Sequence, residues 1–160
     1  MNLIFVDVEA WGDTPRMGGM SEFGAVKYPR FNGTWLTFHG VLVPDGSPRE
    51  PAGLNKYIEV FEEFTFWLAE VRDDESRLIF VSDNPAWDFQ WIHDAFIYCF
   101  GSNPFGHSGR RIGDFYAGLV GRFDRSTDWK RLRVTKHDHH PVHDAIGNAE
   151  AFERMMNGER

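Results

Sequence analysis

A single cysteine, Cys99, stands in the sequence, so no disulfide can close within the chain and a cysteine-built zinc site lacks ligands. Long hydrophobic runs are missing as well. No stretch reaches the roughly 20 apolar residues of a membrane span, and Asp7 interrupts the apolar start before it could serve as a secretory core region. These absences make a cytoplasmic protein without a membrane partner the default expectation. Repeats, low-complexity tracts and interdomain linkers are also lacking, so residues 1–160 are expected to form one compact domain. Positive charge is the scarcer sign: 17 Lys and Arg stand against 24 Asp and Glu, a formal charge of −7. That balance argues against a protein that coats nucleic acid by bulk electrostatics, and leaves room for an enzyme that recruits divalent cations.

The patterning that is present predicts an α/β chain. A first strand spans 2–10, followed by a glycine-rich loop at 11–20. "SEFGAVKY" (21–28) and "TWLTFHGVLV" (34–43) read as two strands joined by a turn at Asn32-Gly33, and 44–53 as a proline- and glycine-rich connector. Ile58, Phe61, Phe64, Leu68 and Val71 recur at helical spacing and predict a helix over 55–74. "RLIFVS" (77–82) is a buried strand, after which Asn84-Pro85 supplies an N-cap and first residue for a helix through about Phe100. Residues 101–111 read as loop, 112–123 as helix, and the basic "WKRLRVTK" (129–136) has no clear period. The last helix starts near Pro141, with Val142, Ile146, Ala149, Phe152 and Met156 on one face. This order implies a sheet of mixed direction, in which sites gather at the carboxyl ends of central strands.

"FVDVEA" (5–10) places two carboxylates, Asp7 and Glu9, at that end of the first strand. Residues two apart share a strand face, and at about 5 Å and an effective dielectric near 20 their charges repel by roughly 3 kcal/mol. A solvated polar face is the plain alternative. It fits poorly, because Leu3, Ile4, Phe5, Val6 and Val8 leave no polar face upstream. A cation site accounts for the pair better. Asp88 falls in the first turn of a predicted helix, where aspartate is common because it complements the helix dipole. Asp144 falls at another helix start, behind His137, His139, His140 and His143. The spacing of His139 and His143 admits a zinc site, though Pro141 puts His139 outside the helix and further ligands must come from elsewhere. A solvated polar turn is the other reading.

Taken together, Asp-x-Glu ending the first strand, Asn-x-x-x-Asp at a mid-chain helix start and His-x-x-x-x-Asp at the last helix resemble the DEDD 3′–5′ exonuclease superfamily, in its histidine branch. The resemblance runs over about residues 2–156, and "NPAWDFQW" and "KHDHHPVHDAIGNAEA" look closest to small bacterial and phage exoribonuclease-like members. Trp87, and Ala10-Trp11 after Glu9, depart from the family's usual residues. Asp138-His139-His140 also spells the signature of DHH phosphoesterases, whose other aspartate motifs are not apparent.

The resemblance implies a ribonuclease H-like fold: α/β, with a mixed central β-sheet of about five strands flanked by helices. It implies Asp7, Glu9, Asp88 and Asp144 as carboxylates for two divalent cations, Mg²⁺ or Mn²⁺, and His139 as general base. The expected substrates are 3′ ends of single-stranded RNA or DNA, with RNA ranked slightly ahead, and a homodimer is kept open. Trp11 is expected to stack on the terminal base, and Asn84, Arg131 and Arg133 to contact substrate, the arginines through phosphates. Packing and surface roles are the alternatives for these four. Two rivals remain for the whole chain: a non-catalytic nucleic-acid-binding domain of the same fold, and a metal-dependent nucleotide phosphohydrolase.

Overall fold

A computed structural model describes all residues, 1–160. It contains a five-stranded sheet in the order β3-β2-β1-β4-β5, flanked by four α-helices. The strands are β1 (Leu3–Trp11), β2 (Gly19–Phe31), β3 (Thr34–Val41), β4 (Ile79–Ser82) and β5 (Arg110–Arg111). The helices are α1 (Leu54–Val71), α2 (Pro85–Phe100), α3 (Ile112–Val120) and α4 (Pro141–Met156), with short 3-10 turns at Phe123–Arg125 and Asp128–Leu132. β1 pairs antiparallel with β2 and parallel with β4, so the sheet is mixed, as the sequence predicts. This α/β arrangement is compatible with a ribonuclease H-like fold.

β1 is central because it is apolar on both faces. Ile4, Val6 and Val8 point into a core built with Phe61, Phe64 and Leu68 of α1 and Ile92 and Phe96 of α2. Leu3 and Phe5, on the alternate positions, point into a second core with Ile112 and Tyr116 of α3, Trp129, and Ala145, Ala149 and Phe152 of α4. By the same alternation Asp7 and Glu9 follow Leu3 and Phe5, so both carboxylates face the α4 side. A shift in the β1–β2 register between Glu9 and Ala10 re-aims the strand at that point, a common device at the rim of a site.

The glycine-rich segment is shorter as a loop than its composition suggests. β2 already begins at Gly19 and runs to Phe31, where the Asn32-Gly33 turn, with φ of 49° and 80°, returns the chain into β3. The expected loop at 101–111 ends in a strand, β5, whose Arg110 and Arg111 pair with Val81 and Ser82. The face of α4 agrees with expectation at Ala149 and Phe152 and differs elsewhere. Ala145, Asn148, Ala149, Phe152 and Met155 are buried, while Met156 is exposed. The helix lies close to the sheet through small residues, and its buried polar side chains have uses given below.

Candidate active site

The acidic end of β1 is built from three directions. β4 is only four residues long and pairs with β1 no further than Phe5, so beyond that point β1 lacks a neighbour on this side. α2 fills the gap. Asp88, in its first turn and buried, accepts a hydrogen bond from Val8 N–H at 3.2 Å, which fixes its carboxylate beside Asp7. From the opposite side, α4 descends onto β2 at Gly24, the register partner of Asp7. A Cβ there would lie 2.3 Å from the backbone of Pro141 and Val142, so only glycine admits the helix start at this height. Asp144, one turn into α4, thereby reaches the β1 carboxylates.

Oxygens of Asp7, Glu9 and Asp144 lie within 4.8 Å of one another. Burial, reinforced by Asp88, Asp144 and Glu9, raises the Asp7 carboxyl to about 8, against the opposing pull of Arg133. Burial likewise raises Asp88 to about 7 and Glu9 above the usual carboxylate range. The Asp144 side chain is fully buried, and neither of its oxygens receives a well-directed hydrogen bond, although His137 Nδ1 stands 2.7 Å from Oδ2. Carboxylate oxygens crowded together, with those of Asp144 lacking a well-directed donor, suit a hard divalent cation that would favour their charged form, and an all-oxygen set suits Mg²⁺ or Mn²⁺.

The histidines separate into two pairs. His137 contacts Asp144 and lies 4.3 Å, ring to ring, from His139. His139 is 76% exposed, with Nδ1 3.8 Å from Glu9 Oε1 and a left-handed φ of 62° that histidine tolerates better than most residues. His140 and His143 turn the other way and stack at 4.3 Å, with His143 Nδ1 2.8 Å from Asp138 Oδ2. His139 and His143 therefore do not face a common ion, and the zinc reading of that pair is corrected. Sequence spacing missed His137, because its contact depends on the turn at His139 rather than on a periodic element.

The remaining expected residues distribute unevenly. A cleft of about 480 Å³ opens beside Asp7, lined by Lys130, Arg131, Arg133, Lys136 and His137. Lys130, Arg131 and Lys136 are all exposed there; Lys130 pairs with Asp83 at 2.7 Å, and Arg131 donates to the Asp128 carbonyl at 3.3 Å. Arg133 is half-buried, with its guanidinium 4.9 Å over the Trp129 ring and a hydrogen bond donated to Asn148 Oδ1. Glu150 accepts from Val134 N–H, Thr135 N–H and the Thr135 hydroxyl, so a buried carboxylate of α4 holds this basic segment against the helix. Trp11 is half-buried against Gly19, and with Glu9 it lines a smaller cleft of about 210 Å³. Asn84 is exposed and precedes α2, but its side chain makes no capping bond. Its carbonyl accepts from Trp87 and Asp88 N–H instead, which corrects the expected side-chain cap.

The fold and its acidic cluster together define an α/β chain with a candidate divalent-cation site at the end of the central strand. No protein-family model matches the chain. It is distantly similar to the 3′-5′ DNA exonuclease Cap18 of Escherichia coli, 29% identical over 100 residues that cover 59% of this chain and 54% of that protein. The aligned stretch thus spans about half the length of that relative. The likeness supports a nuclease at the level of class. No helix is long and apolar enough to cross a membrane.

Proposed function

We propose that residues 1–160 form a single 3′–5′ exonuclease domain of the histidine branch of the DEDD superfamily, acting in the cytoplasm on single-stranded 3′ ends. The observation that carries this reading is the convergence of Asp7, Glu9 and Asp144 within 4.8 Å, with Asp88 hydrogen-bonded to the neighbouring strand residue. Asp7, Glu9 and Asp144 would hold one Mg²⁺ or Mn²⁺, and Asp7 and Asp88 would serve a second. Such cations, when bound, lower the pKa of the attacking water and stabilise the leaving 3′ oxygen of an in-line displacement.

The chain's own residues do the rest. Asp88 is held by Val8 N–H, and Asp144 by the seating of α4 on Gly24, so the carboxylates are fixed before substrate arrives. His139 is the proposed general base. It is accessible and stands beside Glu9, and an imidazole is the commonest side chain to take a proton in such a step. A second reading assigns that role to His137, on the strength of its 2.7 Å contact with Asp144. Arg131 and Lys136 line the cleft that opens from Asp7 and offer cations to the substrate's phosphates. Trp11 offers an aromatic surface to the terminal base on the Glu9 side. The relative's action on DNA favours DNA over RNA as the proposed substrate, reversing the order expected from sequence.

The test is incubation with 5′-labelled and 3′-labelled single strands of RNA and DNA in Mg²⁺, Mn²⁺ or EDTA. A ladder of 5′-labelled products, immediate release of the 3′ label as mononucleotide, and silence in EDTA are expected. Binding without cleavage, or release of nucleotides only from small nucleotide substrates, would replace the proposal with one of its rivals.

A further inference from the structure

One strand outward from the carboxylates, a second set of metal-ligating side chains meets on the same sheet face. Asp7, Gly24 and His39 are register partners across β1, β2 and β3, and Glu22 is the partner of Glu9. Glu22 and His39 therefore point to the α4 side, as Asp7 and Glu9 do. His39 Nε2 is 2.5 Å from Glu22 Oε2. The ring of His140, immediately before α4, stands 4.9 Å from the His39 ring, with the planes at 53°. His140 Nδ1 is buried and has no hydrogen-bond partner. None of these three side chains has a part in the hydrolysis proposed above.

We propose that Glu22, His39 and His140 form a binding site for a transition-metal ion of the zinc class, distinct from the carboxylate cluster. Two imidazoles and one carboxylate are a donor set that favours Zn²⁺, Co²⁺ or Ni²⁺ over Mg²⁺. The ring geometry is close to that of a ligated pair. Imidazole nitrogens about 2.1 Å from a tetrahedral ion place their ring centroids about 5 Å apart. The His39 and His140 rings are already 4.9 Å apart. An ion between His39 and Glu22 needs their donor atoms to part to roughly 3.4 Å, a small opening for two half-exposed side chains. Asp7, Glu9 and Asp144 are the set of three whose donor atoms already lie within 4.8 Å of one another, so the proposed histidine site requires its side chains to adjust as the ion binds. His143 is not a ligand in this arrangement, since it stacks on His140 and is bonded to Asp138. An ion held here ties β3 to the start of α4 and fixes the 137–140 turn that carries His137 and His139.

The experiment is a Zn²⁺ titration of the Asp7→Asn chain against a chromophoric chelator, with visible absorption of bound Co²⁺ as a second readout. The Asp7→Asn background impairs the carboxylate cluster, so the result does not depend on nuclease activity. One Zn²⁺ per chain is expected, undisturbed by millimolar Mg²⁺, and Co²⁺ should give the intense bands of a low-coordinate site. Adding His39→Ala or His140→Ala should weaken binding by about tenfold or more, while His143→Ala leaves it nearly unchanged. Melting curves without metal report whether each variant folds, and His39→Gln substitutes where alanine loosens β3. Absence of Zn²⁺ binding, displacement by Mg²⁺, or unchanged affinity in the His39 and His140 variants would each overturn the proposal.

Discussion

Asp7 and Gly24 face each other across β1 and β2, and the missing side chain at Gly24 is what brings the start of α4 down to Asp7. The first prediction follows from that pairing. In Gly24→Ala the new Cβ would stand 2.3 Å from backbone atoms of Pro141 and Val142, which cannot swing aside as a side-chain tip can. The helix start must lift, carrying Asp144 away from Asp7. A destabilisation of about 1–3 kcal/mol is expected, with a loss of cation-dependent cleavage that persists well below the melting temperature. A variant as active as the parent at low temperature would detach the helix approach from the chemistry.

The second prediction concerns pH in the absence of divalent cations. Folding raises Asp7 to about 8 and Asp88 to about 7 from an ordinary aspartate value of 3.8. Between those limits the folded chain binds more protons than the unfolded one, so stability falls as pH rises through the window. Melting in EDTA should therefore drop by several degrees from about pH 5 to about pH 8, since roughly 1 kcal/mol shifts a chain of this size by about 2–4 °C. Asp7→Asn should flatten the slope and melt higher than the parent at the alkaline end. Mg²⁺ or Mn²⁺ should recover the parent there. Calorimetry showing stability rising through the window would remove the picture of carboxylates crowded against one another. In activity, Asp7→Asn should abolish 3′ shortening at saturating metal.

For the histidines, the informative comparison is His139→Ala beside His137→Ala, at saturating Mn²⁺ and with oligonucleotide affinity measured in parallel. A positioned general base contributes about 10²–10⁴ in rate, so its loss should slow single-turnover cleavage by that order while binding persists. The proposal places the larger loss at His139. If His137→Ala is the slower variant, the contact with Asp144 marks the base instead. His143→Ala should be mild in either case, because His143 faces Asp138 and away from the carboxylates.

The two arginines of the basic cleft should part company. Arg131 is exposed, so Arg131→Ala should weaken single-strand binding and reduce its salt slope by about 0.7. Arg133 lies over Trp129 and bonds Asn148, so Arg133→Ala should lower the melting temperature as well. A fluorescence titration from low to moderate salt, paired with thermal melting, distinguishes the two. An unchanged slope in both variants would assign them to surface and scaffold.

The central strand was legible because each of its residues carries its own reason: apolar on both faces through Phe5, then carboxylates on one face only. Asp88 was legible as a helix-start residue, but its bond to Val8 depends on β4 stopping short, which no local pattern announces. β5 was invisible for a similar cause. Two consecutive arginines have no strand propensity, and they pair only because β4 offers them an edge. The expected α4 face holds at Ala149 and Phe152, with Ile146 packed at the margin of the core, and fails at Met156, which is exposed. Close approach to the sheet adds Ala145 to that face, and burial of Asn148 and Glu150 is tolerated because Arg133 and the 134–135 backbone use their oxygens. The histidine pairing lay beyond spacing arguments altogether, since a single left-handed residue, His139, decides which rings face which carboxylates.

Because Asp7 and Glu9 lie on β1 and Asp144 on α4, the carboxylate cluster is completed only after α4 has been made. A ribosome that has made β1 works for on the order of ten seconds before α4 exists to complete the set. Through that interval Asp7 and Glu9 stand together on β1 without Asp144, and the set is incomplete. On the proposed reading, a centre that draws ligands from β1 and α4 is inert until both elements are in place, and proteolytic loss of α4 alone would return it to that state.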